Sequence, residues 1–175
     1  SFRNDIIIRG GSPGENKFYL DGIEVPNINH FATQGSSGGP VGLLNINFIR
    51  SIDFYSGAFP SNFANGLSSA ISFKQKEGNK DNLIANVALG SSDLALTLDG
   101  PIGEKSSFIF SARRSYLQLL FAALKLPFLP TYNDAQFKVN YNINRKNRIT
   151  IIGLGALDDF VLNTSANDGV TDPDQ

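Results

Sequence analysis

The sequence predicts a mainly β protein, and three features carry that expectation. Charged residues make up 18% of the chain, against the roughly 25% of an ordinary soluble domain, while Gly, Asn, Ser and Phe are frequent. Segments that alternate apolar and polar residues recur in the second half, with turn residues between them. The longest apolar stretch, 117–129, is broken by Gln118, Lys125 and Pro127 and falls short of the roughly 20 residues that a membrane-spanning helix needs.

Taken in order, the first half reads as short strands at 5–9, 17–20, 23–25, 52–56 and 69–75, set among loops rich in Gly and Asn. The segment 26–42 is dense in Gly, Ser and Asn, and a loop of that length inside a compact domain is more often functional than incidental. A polar, turn-rich stretch at 76–81 marks a change of texture and places a domain boundary there, giving domains 1–77 and 78–175. Beyond it, 83–89 alternates weakly, whereas 93–99 sets Leu94, Leu96 and Leu98 against Ala95, Thr97 and Asp99 without a break. In 106–116, Phe108, Phe110 and Ala112 oppose Ser107, Ser111, Arg113 and Ser115, with Ile109 interrupting the polar side. In 136–143, Phe137, Val139, Tyr141 and Ile143 oppose Gln136, Lys138, Asn140 and Asn142. The stretch 148–158 is too apolar on both faces to assign. Short polar turns at 103–106 and 144–147 lie at the opposite strand ends from the long connection 116–132, which has helical spacing at Leu117, Leu120, Phe121 and Leu124. That asymmetry suits an outer-membrane barrel and equally a soluble antiparallel meander.

Composition removes several function classes. The net charge is −1, with both signs spread along the chain, so no basic face awaits a phosphate backbone and nucleic acid is not expected as a partner. The absence of cysteine removes disulfides, thiolate metal sites and Cys nucleophiles. His30 is the only histidine, so imidazole metal sites and histidine triads would rest on one ring, and neither an enzyme nor a cofactor is expected. Gly35, Gly38, Gly39 and Gly42 lack the Lys-Ser/Thr pair of a phosphate-cradling loop. Asp168, Asp172 and Asp174 with Asn167 and Gly169 hint at calcium, but without the spacing or terminal Glu of an EF-hand they read as loop, and no metal is assigned. The first residues show neither an initiator Met nor a basic-then-apolar leader, so the sequence is expected to start within a domain.

Ile6-Ile7-Ile8-Arg9-Gly10-Gly11, followed by Phe18-Tyr19-Leu20-Asp21-Gly22-Ile23-Glu24-Val25-Pro26, resembles the plug domain of TonB-dependent outer-membrane receptors, in which an IRG strand precedes an LDG hairpin. Residues 43–57 are similar to the plug segment in which a helical turn leads into a strand, and 59–74 resemble the closing plug strand. Leu98-Asp99-Gly100-Pro101-Ile102 and Phe110-Ser111-Ala112-Arg113-Arg114-Ser115-Tyr116 look like barrel strands of the same receptors. The motifs occur in order and span nearly the whole sequence.

The resemblance implies the later part of a plug, a small mixed α/β domain with short helices and a sheet. The first antiparallel strands of a transmembrane β-barrel follow it. About five strands cannot close a barrel implied to have about 22, and an open edge in lipid costs several kcal/mol per unpaired backbone group. A larger assembly is therefore expected. The implied function is TonB-dependent import of a nutrient, whether glycan, siderophore, peptide or vitamin, across the outer membrane of a Gram-negative cell. TonB would act through a segment absent from this sequence, and a surface lipoprotein is an optional further partner. Asn29, His30, Phe31 and Gln34 then become candidates for ligand contact, with a solvated loop as the simpler reading of His30. Arg9 and Arg113 become candidates for ion pairs between plug and barrel. Leu94, Leu96, Leu98, Phe108, Phe110, Phe137, Val139 and Tyr141 are expected to meet lipid, and 117–126 to form a surface helix at the membrane boundary with Tyr116 and Phe128 near the headgroups. The competing expectation is a secreted all-β binding module, such as a glycan-binding sandwich, in which the same apolar rows form an ordinary core.

Overall fold

The apolar run Phe18-Tyr19-Leu20 makes strand β1 (Asn16–Leu20) the centre of a sheet, because a strand covered on both faces needs consecutive rather than alternating apolar residues. The structure, a computed structural model, describes residues 4–33, 35–63 and 66–163. It divides into two compact units, Ser1–Gly78 and Asn79–Gln175.

In the first unit β1 turns back into β2 (Ile23–Val25) through Asp21 and Gly22, whose φ values of 49° and 87° meet the demand of a two-residue type I′ turn for positive φ at both positions. Two residue pairs, β3 (Asn29–His30) and β4 (Val41–Gly42), close a loop. A short 3-10 turn, Ile46–Phe48, capped by the Asn45 side chain, leads into β5 (Ile49–Tyr55), and β6 (Ser69–Gln75) returns. The sheet order is β2-β1-β6-β5, with β1 and β6 parallel and the outer pairs antiparallel. Phe18, Tyr19, Leu20, Phe48, Ala70 and Ile71 are its buried apolar residues. The Asp21 carboxylate accepts from the Gln75 backbone N–H at 2.8 Å and from Gln75 Nε2 at 3.1 Å, locking the hairpin turn to the end of β6. On the exposed side the Lys74 ammonium sits 2.7 Å from Asp53, and that hydrogen bond holds its pKa above the ordinary value.

The strand expected over 5–9 is not one. Residues 5–8 are in no regular element and Arg9 and Gly10 form a turn; backbone groups of Ile6 and Ile8 are taken by side chains instead of a neighbouring strand. Ser37 Oγ accepts from Ile6 N–H (2.8 Å) and donates to Ile6 C=O (3.1 Å), Asn16 Nδ2 donates to Ile6 C=O (2.6 Å), and Ser68 Oγ donates to Ile8 C=O (2.5 Å). Asn16 is the node of this network. Its Nδ2 also reaches Pro13 C=O at 3.0 Å, and its Oδ1 accepts from the buried Ser69 hydroxyl at 2.6 Å. Asn16→Ala takes the acceptor from the buried Ser69 hydroxyl and one donor each from Ile6 and Pro13 C=O, so a denaturant titration of the full-length protein should show a loss of ~2 kcal/mol. A loss below ~0.5 kcal/mol, the range of an ordinary surface change, would show that the network carries no weight.

The second unit is an antiparallel meander of β7 (Ile84–Leu89), β8 (Asp93–Pro101), β9 (Ser106–Ser115), β10 (Phe128–Asn142) and β11 (Arg148–Leu162), paired in sequence order. The helical spacing after β9 gives α1 (Leu117–Ala123). The connection is nevertheless shorter than 116–132, because β10 starts at Phe128, opposite Leu162. Phe128 is held between Phe121 (5.4 Å between ring centroids) and Phe160 (5.2 Å, stacked), so the aromatic expected at a headgroup is packed against helix and strand. Pro130 fits the strand because it lies past the end of the β9 ladder, which begins at Asn133 and Arg114, leaving only β11 beside it. The strands β10 and β11 each have 15 residues, longer than the expected 136–143 and 148–158 and more than the roughly 9–11 that a tilted strand needs to cross a bilayer.

Candidate functional site

Strand register sorts the second unit into two faces. Leu96, Ala112, Ala135 and Gly155 stand in one cross-strand row, Leu98, Phe110, Phe137 and Gly153 in the next, and Gly100, Phe108, Val139 and Ile151 in a third. The opposite face carries Thr97, Ser111, Gln136 and Leu154, then Asp99, Ile109, Lys138 and Ile152. Register also settles β11, whose two apolar faces hid its orientation: Ile149, Ile151 and Leu157 share the side of Phe137.

Burial runs opposite to that of a soluble sheet. Asp99, Ser107, Ser111, Ser115, Gln136, Lys138 and Asn140 are buried, whereas Leu94 and Tyr141 on the apolar face are 47% and 46% exposed. Charged and amide side chains are ordinarily the exposed ones. Leu94, Leu96, Phe137 and Tyr141 are exposed, and Leu98, Phe108, Phe110 and Val139 are half-buried among neighbours on the same apolar side. Ile109 and Tyr132 are the large apolar exceptions buried with the polar set.

On the polar face Arg113 stands directly opposite Asp134. Its Nε donates to both carboxylate oxygens (3.1 and 2.9 Å) and its Nη2 lies 2.9 Å from Oδ2, the fork geometry that suits guanidinium and carboxylate. The guanidinium also lies over the Tyr132 ring, 5.9 Å from its centroid, and the Tyr132 hydroxyl donates to Asp93 Oδ2 at 2.6 Å. The carboxylate on Arg113 thus belongs to the neighbouring strand, at the directly opposed register position, where the sequence had suggested an acid of the first unit. Arg9, at φ 52°, lays its guanidinium against Gly57, where an added Cβ would come within 2.7 Å of Nη1. No acidic partner of Arg9 occurs among the described residues.

In the first unit the loop 31–40 is closed by Asn29 opposite Gly42 and His30 opposite Val41. His30 is 1% exposed, so it supports the loop from inside and is not the solvated residue that the sequence suggested. Asn29 and Phe31 are half-buried, and Gln34 lies outside the described residues, as does the acidic stretch 167–174. Sequence reasoning missed the clamp between this loop and the segment 4–6. Asp5 Oδ1 accepts from the N–H groups of Ser37 (3.1 Å) and Gly38 (3.2 Å), and Asn29 Nδ2 donates to Ser37 C=O at 3.3 Å. Gly38 permits it, since a Cβ there would lie 1.9 Å from Asn4 O. Ser37→Ala removes the acceptor of the Ile6 N–H, and hydrogen exchange at Ile6 should quicken about fivefold, the equivalent of ~1 kcal/mol. An unchanged rate would mean that the clamp does not hold the segment.

Among the described residues no group of three His, Cys, Asp or Glu side chains gathers to hold a metal ion, and no helix is long and apolar enough to cross a membrane. No family model and no curated sequence matches the chain. In three dimensions the chain is similar to the pyoverdine outer membrane receptor FpvA from Pseudomonas aeruginosa PAO1, solved bound to pyoverdine, with a TM-score of 0.63 at 16% identity over 91% of this chain. The chain spans 23% of that receptor, and at this identity the relationship is one of fold: the two β-rich units are folded as a portion of that outer membrane receptor is.

Proposed function

We propose that the chain is part of a TonB-dependent receptor that imports a nutrient across a Gram-negative outer membrane, the first unit acting as plug and the second supplying the first strands of the barrel. One observation carries this reading: the exposed face of the second unit is its apolar face and the buried face its polar one. A sheet facing hydrocarbon outside and a polar lumen inside has that arrangement. A secreted sandwich would need Leu94, Leu96 and Phe137 inside a core, and they are exposed. The fold likeness to an outer membrane receptor bound to its ligand supports the same conclusion.

In this reading the loop around Asn29, Phe31 and Gln34 meets the ligand, with His30 beneath it. Its clamp to Asp5 and Ile6 ties the ligand loop to the segment 4–6, so a displacement of that segment would be felt at the loop. Arg9 pairs with a carboxylate elsewhere in the receptor. No covalent step and no cofactor are needed, because transport requires only binding and displacement. Spin labels on the full-length protein in bilayers test the carrying observation. A label at Leu96 should be relaxed by oxygen, which concentrates in lipid, and one at Thr97 should not. Equal oxygen accessibility at both positions would overturn the membrane assignment.

A further inference from the structure

The alternation of β9 sends two consecutive arginines to opposite faces. Arg113 points to the buried polar face and is satisfied by Asp134. Arg114 stands on the apolar face, opposite Leu94 on one side and Asn133 on the other. It is exposed and, among the described residues, has no hydrogen-bond or ion-pair partner. A cation on a lipid-facing surface is costly at mid-membrane and tolerable only near the headgroups, where an anion can meet it. Beside Asn133 the same face is indented by a groove of about 550 Å³, lined by Asn133, Ala135, Phe137, Gly153, Gly155 and Leu157. Its floor is shallow for a structural reason. A Cβ at Gly153 would lie 2.1 Å from the Phe137 ring, so the ring folds down over the glycine, and at Gly155 nothing stands within 4 Å of a Cβ.

We infer that this feature is a binding site for one anionic membrane lipid, its phosphate on Arg114 and Asn133 and an acyl chain lying along Ala135 and Gly155 as far as the Phe137 ring. The inference rests on the reading of this face as lipid-facing and adds to it a level and a headgroup chemistry. A guanidinium and an amide at one end of an apolar trough match a phosphate ester joined to a hydrocarbon chain, and Arg pairs with phosphate through two parallel hydrogen bonds. The groove is continuous with the apolar rows, so the chain passes into it from the bilayer without crossing polar surface.

Native mass spectrometry of the full-length receptor in a neutral detergent tests the site, with phosphatidylglycerol, phosphatidylcholine and inorganic phosphate as probes. The wild type should retain one phosphatidylglycerol in preference to phosphatidylcholine. Arg114→Gln should erase that preference, lowering phosphatidylglycerol retention about tenfold, the worth of one charged pair. Gly155→Leu, at a position where an added Cβ meets nothing within 4 Å, should fill the trough and weaken retention of both lipids. Inorganic phosphate at millimolar levels should not compete. Absence of preference in the wild type, retention unaffected by either substitution, or displacement by phosphate alone would each overturn the proposal. The spin-label result at Leu96 and Thr97 separates the two failures. If that result holds and these do not, the face meets lipid but has no headgroup site.

Discussion

Leu98→Arg in the full receptor should destabilise it in a bilayer by ~2–4 kcal/mol, whereas Leu94→Arg should cost at most ~1 kcal/mol. The two leucines lie on the same strand and the same face, so loss of a leucine is common to both. They differ in depth. Leu94 stands opposite Arg114, at the end of the apolar rows where a cation is already accommodated, and Leu98 stands opposite Phe110, midway between Arg114 and Ser106 along β9. Hydrocarbon penalises a charge according to its distance from the headgroups, and water does not. If the face met water, both changes would be near neutral, and if it were a packed core, both would be severe. Equilibrium unfolding of the two variants in bilayers therefore distinguishes three environments, and equal penalties would exclude the membrane.

Much of the second sheet was legible in the sequence because its strands alternate. In 93–99 and 136–143 every second residue changes character, and the observed faces follow that alternation. Legibility failed where a local pattern was ambiguous. In β11 both faces are apolar, so only pairing with β10 could orient it. The start of β10 was hidden because Phe128, Leu129 and Pro130 continue an apolar run that helical spacing had already claimed, and the stacking partner Phe160 is far away in sequence. In the first unit the Asp21-Gly22 turn was readable from two residues. The segment 5–9 looked like a strand because Ile6, Ile7 and Ile8 have the right composition, yet composition does not say whether a neighbouring strand is available. Ser37, Asn16 and Ser68 serve its backbone instead, at separations of up to 60 residues, and no periodicity reports a side chain acting as a strand partner. The clamp between Asp5 and Gly38 was hidden for the same reason. A lone glycine in a glycine-rich loop looks flexible until the backbone that crosses it is seen.

Asp134→Ala should cost ~3–5 kcal/mol, the penalty for leaving a buried charge without its counterion. Asp134 and Arg113 side chains are 2% and 14% exposed, so water cannot replace the lost carboxylate, and Arg113 has three contacts to lose within 3.1 Å. The pair also sits where it can fix strand pairing. It joins residues directly opposite each other on β9 and β10, and a slip of β10 by one residue would send Asp134 to the apolar face and leave Arg113 behind without its counterion. The double substitution Arg113→Leu with Asp134→Leu separates these contributions. Removing both charges restores electrical balance, so it should recover most of the stability lost in the single variant, because a buried pair returns little beyond its own desolvation cost. Specificity should not recover. With no charges left on that row, exchange of the β9 and β10 amides should rise more than global stability accounts for, as alternative registers become accessible. A double variant as unstable as Asp134→Ala alone would mean that the pair stabilises by its geometry. One with wild-type exchange would mean that register is set by the alternating faces without it.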